Sequence, residues 1–101
     1  NKIINYIDQF NIHNKKFTPL INHKTGFSLS LLNGINAHIH EYKLEKSEVY
    51  NCLSGEWEID CEGQKIMIKE KDTFSVPKNS LRSIKQVSDE DGSLFIIRQT
   101  N

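Results

Sequence analysis

The residues best placed to do chemistry are two histidines two positions apart, His38 and His40. In a β-strand the side chains alternate between the two faces, so both imidazoles would point the same way, with their Cα atoms about 6.5 Å apart. At that spacing two neutral imidazole nitrogens can reach one metal ion at about 2.0 to 2.1 Å. The alternative is that both are ordinary polar residues on an exposed strand face.

The elements that must position these histidines are strands. Apolar and polar residues alternate over 27–31 and again over 48–53, which is typical of half-buried strands. Turn residues separate the short segments, and Gly55 interrupts an alternating run as a β-bulge would. The pattern predicts strands at 17–21, 27–31, 37–44, 48–53, 57–61, 65–69, 73–76, 83–87 and 94–98. No long helix is predicted, so the expected fold class is all-β, a barrel or a sandwich. Residues 1–16 fit either a short amphipathic helix or an edge strand.

Two stretches of this chain resemble the two motifs of the cupin superfamily. GINAHIH (34–40) followed by EVYNCLSGEWEI (48–59) resembles the first motif, and KDTFSVPKNSLRSI (71–84) resembles the second. The resemblance covers residues 34–98, about two-thirds of the chain. It implies one domain over residues 1–101, an N-terminal segment (1–33) followed by a motif-bearing barrel (34–98). The implied fold is a double-stranded β-helix, the cupin jelly-roll barrel, and small cupins of this kind commonly form homodimers.

The same resemblance implies a metal site of His38, His40 and Glu48. Imidazole with carboxylate suits iron, manganese, nickel, zinc or copper. Two departures bear on it. Seven residues separate His40 from Glu48, where cupins usually have three to four, and Arg82 stands where the second motif places its last histidine. Arginine has no lone pair to offer a metal, so the alternative is that no metal is bound. Asn79 replaces the usual turn glycine and can tolerate a left-handed conformation.

Glu48 and Arg82 could instead form an ion pair across the barrel. An arginine fork in an apolar barrel suits a carboxylate or phosphate on a small ligand. Tyr50 and Cys52 share the face of Glu48 in an alternating strand. The predicted ligand-binding residues are therefore Arg82, Tyr50, Glu48 and Cys52.

Three functions are compatible with these residues. The first is a barrel that binds a small anionic metabolite, with or without a divalent metal. The second is a metal-dependent dioxygenase or isomerase acting on a small organic acid or sugar derivative. The third is a structural barrel without a ligand. Fold alone does not choose among them.

Composition excludes several other partners. The 13 basic and 13 acidic residues balance, so no basic surface for nucleic acid is expected. No apolar run is long enough to span a membrane. Cys52 and Cys61 are expected to be thiols in a reducing compartment, which favours a cytoplasmic location.

Overall fold

The computed structural model describes residues 16–22 and 26–99, and these residues form nine β-strands and no helix. The all-β prediction is confirmed, and the described part of the chain contains no helix that could cross a membrane. The segment predicted over residues 1–16 lies outside the described residues, apart from Lys16. The strands are β1 (Lys16–Asn22), β2 (Phe27–Gly34), β3 (His38–Lys43), β4 (Glu48–Ser54), β5 (Trp57–Cys61), β6 (Gln64–Ile68), β7 (Thr73–Val76), β8 (Leu81–Gln86) and β9 (Gly92–Gln99).

The strands form two antiparallel sheets. The five-stranded sheet has the order β1-β2-β9-β4-β7, and the four-stranded sheet has the order β3-β8-β5-β6. From β2 to β5 the chain changes sheet at every connection, as it does from β6 to β9. This alternation gives the double-stranded β-helix that the sequence predicts.

The core lies between the two sheets, where their inward-facing apolar residues pack together. Ile39 pairs with Ile84, and Ile84 pairs with Ile59, so one row of isoleucines crosses the four-stranded sheet. Directly paired residues share a sheet face, and all three side chains are fully buried. The facing sheet contributes Leu32, Tyr50, Cys52, Leu94 and Ile96.

Gly55 is not a bulge inside one long strand, as the sequence suggested. It follows β4 and precedes β5, which belong to different sheets, so it lies at the corner where the chain crosses the barrel. Its φ is 78°, and a Cβ there would meet the Cα of Gly92 at 2.8 Å. Glycine is therefore needed both for the left-handed backbone and for the close approach of the two chain segments.

Candidate functional site

Polar side chains meet at one end of the barrel interior. Glu48 begins β4 of the five-stranded sheet and Arg82 lies in β8 of the four-stranded sheet, and both are fully buried. In β4 the alternation that buries Cys52 also turns Tyr50 and Glu48 inward. We call this region the polar end, and it comprises Ser28, Tyr42, Glu48, Tyr50, Arg82 and Arg98.

Arg82 joins the two sheets through its guanidinium. Its Nη2 and Nε donate to Oε1 of Glu48 at 3.0 and 3.2 Å. Its Nε also donates to the Tyr50 hydroxyl at 2.8 Å, and Tyr50 in turn donates to Glu48 Oε1. The remaining nitrogen, Nη1, donates to the backbone carbonyl of His40 at 3.4 Å. The ion pair that the sequence offered as an alternative is the observed arrangement, and every guanidinium nitrogen has an acceptor within the chain.

The turn before β8 fixes where Arg82 enters the barrel. Asn79 has a φ of 70°, which confirms that asparagine takes the left-handed turn position expected of it. Its amide donates to the carbonyl of Leu44 at 2.7 Å, while the amide of Leu44 donates to the carbonyl of Ser80 at 2.9 Å. These two backbone bonds hold the end of β3 against the turn. As a result, Tyr42 pairs directly with Arg82.

His40 contributes its backbone carbonyl to this network, and its ring lies beside that of His38. His38 pairs with exposed Lys85, whereas the next residue, Ile39, pairs with Ile84 in the core. Because neighbouring strand residues face opposite ways, His38 lies on the outer face of the four-stranded sheet. The His40 ring lies beside it, with 4.8 Å between the ring centroids, as expected for residues two apart in a strand.

The predicted ligand set of His38, His40 and Glu48 is therefore not assembled. Glu48 faces the interior, whereas His38 lies on the outer face of the four-stranded sheet with the His40 ring beside it. Among residues 16–22 and 26–99, no group of three or more His, Cys, Asp or Glu side chains could hold a metal ion. His38 and His40 lie side by side as alternation predicts, and the spacing alone did not specify which face of the sheet they share.

The interior positions at the usual cupin spacing hold other residues. Leu44 precedes Glu48 with three residues between them, and it is buried in the core. Two positions before Leu44, Tyr42 pairs with Arg82. An apolar chain, a phenol and a guanidinium thus occupy the places where the motif's histidines would stand. Glu48 is the one strong metal-binding group in this set, and Arg82 already pairs with it. The described residues at these interior positions therefore do not fit a metal centre.

Cys52 is buried but turns away from the polar end. Its Sγ lies 3.5 Å from the carbonyl oxygens of Ser54 and of Gly55, at the corner between the sheets. Burial, with smaller contributions from the charges of Asp72 and Glu70, raises the pKa of the Cys52 thiol above its usual value. Both Cys52 and Cys61 are free thiols. Cys52 packs in the core here and does not contribute to the polar network.

Three polar residues of the interior were missed by sequence reasoning. Arg98 pairs with Glu48 on one side and with Ser28 on the other, so all three face the interior. Ser28 and Ser30 are buried, and Arg98 is half-buried. The available signal was the alternation of Leu94, Ile96 and Arg98 in β9, since an arginine that continues an apolar face points inward.

Similarity to known proteins appears in the fold and not in the sequence. By sequence the chain matches no protein-family model and no curated protein. In structure it is similar to the cupin domain of Schizosaccharomyces pombe Cnp3, with a TM-score of 0.79 and 19% identity over 94% of this chain and 72% of that one. The chain has the cupin fold. The superfamily resemblance drawn from the two motifs is thereby confirmed at the level of fold.

Other solved structures of similar fold include another cupin and an enzyme. An RmlC-like cupin from Shewanella frigidimarina matches with a TM-score of 0.75 and 18% identity over 93% of this chain and 86% of that chain. The polyketide cyclase RemF from Streptomyces resistomycificus matches with a TM-score of 0.75 and 10% identity over 89% and 68%. Identities this low establish the fold of the cupin barrel and leave its activity to the residues of the site.

Proposed function

We propose that this cupin barrel is a binding module for a small anionic molecule, held at the polar end of its interior. The observation that carries the proposal is the charge inside the barrel. Among the described strand residues that face inward, two arginines, Arg82 and Arg98, accompany one carboxylate, Glu48. Guanidiniums enclosed in a barrel are suited to a negatively charged ligand, because their donors match the oxygens of a carboxylate or phosphate.

Stability alone does not account for the polar end. A buried ion pair often contributes less to stability than apolar residues of similar volume, because both ions lose their hydration. The remainder of the barrel shows that this chain can fill its interior with isoleucine, leucine and tryptophan. Retaining Glu48, Tyr50 and Arg82 instead supports a role in recognition, with Arg82 holding Glu48 in place and closing one side of the site.

The metal-dependent enzyme receives less support than the binding module. Such an enzyme would need several metal ligands facing the interior, and the interior places Tyr42, Leu44 and Arg82 at the usual positions. The observations therefore favour binding over catalysis at a metal.

We also propose that the barrel forms a homodimer through its five-stranded sheet. The outer face of that sheet carries half-buried Leu29, Leu31, Val49, Phe95 and Ile97. Leu53 on the same face is 41% exposed. A broad apolar sheet face favours association with another surface. Light scattering after gel filtration would give twice the chain mass for wild type and a single chain mass for Leu53→Lys.

The binding proposal is tested by a screen of small organic anions. Thermal unfolding would be followed at constant ionic strength, and native mass spectrometry would detect any small molecule that remains bound after purification. An anion of matching shape should raise the midpoint in proportion to the logarithm of its concentration. Ser28→Val, inside the barrel, should weaken that response, while Lys85→Gln, on the outer face, should leave it unchanged. A bare chain mass and no response to any anion would support the structural barrel instead.

A further inference from the structure

We infer that the end of the barrel opposite the polar end carries a docking site for a basic segment of a partner protein, in which one apolar side chain is flanked by lysines or arginines. The site consists of Ile35, Glu56, Val87, Asp89, Glu90 and Asp91, and we call it the β8–β9 patch. It shares no residue with the anion site proposed above.

The connections between strands at this end of the barrel are strongly acidic. They are residues 35–37, 55–56, 69–72 and 87–91, and the pairing of Gly34 with Gly92 and of Trp57 with both Gln86 and Ile68 brings them to one end. Six acidic residues stand against two lysines, which leaves a net charge of −4 in a chain whose charges sum to zero. The acidic residues are all exposed: Glu56, Glu70, Asp72, Asp89, Glu90 and Asp91. The described connections 44–47, 62–63 and 77–80 at the polar end have two acidic residues and two lysines, so the negative excess belongs to one end.

Two exposed apolar side chains lie among these acids. Ile35 is 51% exposed and Val87 is 38% exposed, although both are large hydrophobic residues. The backbone amide of Asn36 donates to Gln86 Oε1 at 3.2 Å, and the amide of Gln86 donates to the carbonyl of Ala37 at 2.8 Å. Ile35 and Val87 each adjoin one of these bonded residues, so they lie on the same part of the surface. Exposed apolar area rimmed by charged residues is typical of a protein interaction site.

The buried side chain of Gln86 fixes the shape of the patch. Gln86 is 1% exposed, and its Nε2 donates to Ser88 Oγ and, at 2.9 Å, to the carbonyl of Glu90. The amide of Val87 donates to the carbonyl of Glu56 at 2.9 Å, and the amide of Glu56 donates to Ser88 Oγ at 3.4 Å. The acidic β8–β9 connection is therefore held against two neighbouring connections before any partner arrives. A preformed surface spares the complex the entropy cost of ordering it.

Charge decides which class of partner fits this patch. Nucleic acids and anionic membrane surfaces are negatively charged and would be repelled by this end of the barrel. No group of three or more His, Cys, Asp or Glu side chains in the described part of the chain could hold a metal ion. A basic segment is attracted by the acids, and one apolar side chain within it would remove Ile35 and Val87 from water. A protein segment with both features is therefore the partner of matching chemistry.

The inference is tested by NMR titration of the isotope-labelled full chain with three short peptides. In the first peptide one leucine is flanked on each side by two arginines, in the second serine replaces the leucine, and in the third glutamates replace the arginines. We expect the first peptide to shift the amide signals of residues 35–37, 55–56 and 87–91. The second should bind roughly three- to tenfold more weakly because it buries less apolar surface, and the third should not bind. Raising the salt concentration from about 0.1 M to about 1 M should weaken the first peptide by at least about tenfold.

Variants of exposed residues then assign the contacts. The Asp89→Asn, Glu90→Gln double variant should weaken the first peptide by roughly three- to tenfold, since two exposed charge pairs are lost. The Glu41→Gln, Glu45→Gln double variant removes the same charge from exposed positions outside the patch and should bind as wild type does.

A third variant separates the apolar contact from the charge. Ile35→Ser with Val87→Ser keeps every acid of the patch, so it should remove the difference between the leucine and serine peptides. Both positions are exposed, and the dispersion of the amide signals would show that the variant is folded.

Several outcomes would overturn the inference. Equal binding of the leucine and serine peptides to wild type would show that the acids attract any polycation, and equal weakening in the two acid variants would place the peptide elsewhere. No response to the leucine peptide up to about 1 mM would reject the docking site. Each of these results leaves the proposed anion site untouched, because that site is tested with anions at the other end of the barrel.

Discussion

The two ends of the barrel interior are built from the same strands but from different residue types. At the polar end, Glu48, Tyr50 and Arg82 share a hydrogen-bonded network that spans both sheets. At the other end, which we call the apolar end, the sheets meet through Leu32, Cys52, Trp57, Ile68 and Leu94. Trp57 satisfies its indole nitrogen locally, by donating to the carbonyl of Ser54 at 3.1 Å.

This difference separates what holds the barrel together from what it can recognise. The apolar end excludes water and is stabilised by burial of apolar surface, which is non-directional and so gives little specificity for a ligand. Its close packing makes it sensitive to changes in side-chain shape. The polar end keeps charge out of water at a cost and orders it through fixed donors. Substitutions at the two ends should therefore affect stability and ligand binding differently.

The largest effect is expected from breaking the ion pair on one side only. Arg82→Met or Glu48→Leu alone should lower the free energy of unfolding by about 3 to 5 kcal/mol, because each leaves an uncompensated buried charge. The double variant should recover most of this loss. Urea unfolding of the four proteins gives the cycle, with Lys85→Met as the outer-face control, expected to change stability by less than about 0.5 kcal/mol. Equal losses in the single and double variants would contradict the charge argument.

A slightly smaller loss of stability is expected at the apolar end, and no second substitution should compensate for it. Leu94→Ala removes a fully buried side chain and should cost about 2 to 5 kcal/mol through lost burial and the cavity left behind. The response to a small anion that binds the wild type, measured below the unfolding transition, should be unaltered. A selective loss of that response in Leu94→Ala would mean that the ligand reaches the apolar end.

The corner that closes the apolar end should be less sensitive. Gly55→Ala adds a methyl group 2.8 Å from the Cα of Gly92 at a φ of 78°, and we expect a loss of about 2 to 3 kcal/mol. Gly63→Ala is the matched control, since its φ of 84° is also left-handed but no atom lies within 4 Å of the added carbon. It should lose only about 1 to 2 kcal/mol. Equal losses would show that conformation alone, and not the close approach, requires Gly55.

One thiol at each end reports access directly. Cys61 pairs with Arg82 and is half-buried, whereas Cys52 is buried at the apolar end. In Cys52→Ala and Cys61→Ala, each of which keeps one thiol, a thiol reagent should modify Cys61 more than about tenfold faster than Cys52. A small anion bound at the polar end should slow the reaction of Cys61 alone. Equal rates for the two variants would remove the distinction in access.

The raised pKa of Cys52 adds a pH dependence. Burial keeps this thiol protonated in the folded chain at pH values where the unfolded chain ionises it. The contribution to stability is therefore fully present below the unfolded pKa, and it is lost as pH rises above about 8.5 toward the raised folded pKa. Wild type should lose more stability over that range than Cys52→Ala, as urea unfolding at pH 7 and at pH 9.5 would show.

The smallest effect is expected on the outer face of β3. Elemental analysis of protein purified without an affinity metal should give substoichiometric iron, manganese, nickel, zinc and copper, unchanged in the His38→Ala, His40→Ala double variant. His38 lies on the outer face of the sheet with the His40 ring beside it, so we expect the ligand response of that variant to match wild type as well. Near one equivalent of a metal, lost in the variant, would make the outer face a second functional region.

The sequence was sufficient to predict the alternation of side chains within single strands and the class of fold. Periodicity of two places Glu48, Tyr50 and Cys52 on one face whichever sheet they join, because it depends only on local backbone geometry. The motif resemblance predicted the same barrel, and the solved structures that are similar to this chain support it. The Glu48–Arg82 pair was also within reach, since the two motifs carry both partners.

Which side chains face each other across the barrel interior depended on the tertiary structure. One irregularity in the pairing of β3 lets both Ile39 and Tyr42 pair with inward-facing residues although they are three positions apart, and a single-residue shift of this kind has no signature in composition or spacing. Arg98 joins Glu48 only because β9 lies beside β4, fifty residues away in sequence. The local alternation of side chains was therefore determined by the sequence, whereas the set of charges that share the interior was decided by strand register and sheet order, which are long-range properties of the folded chain.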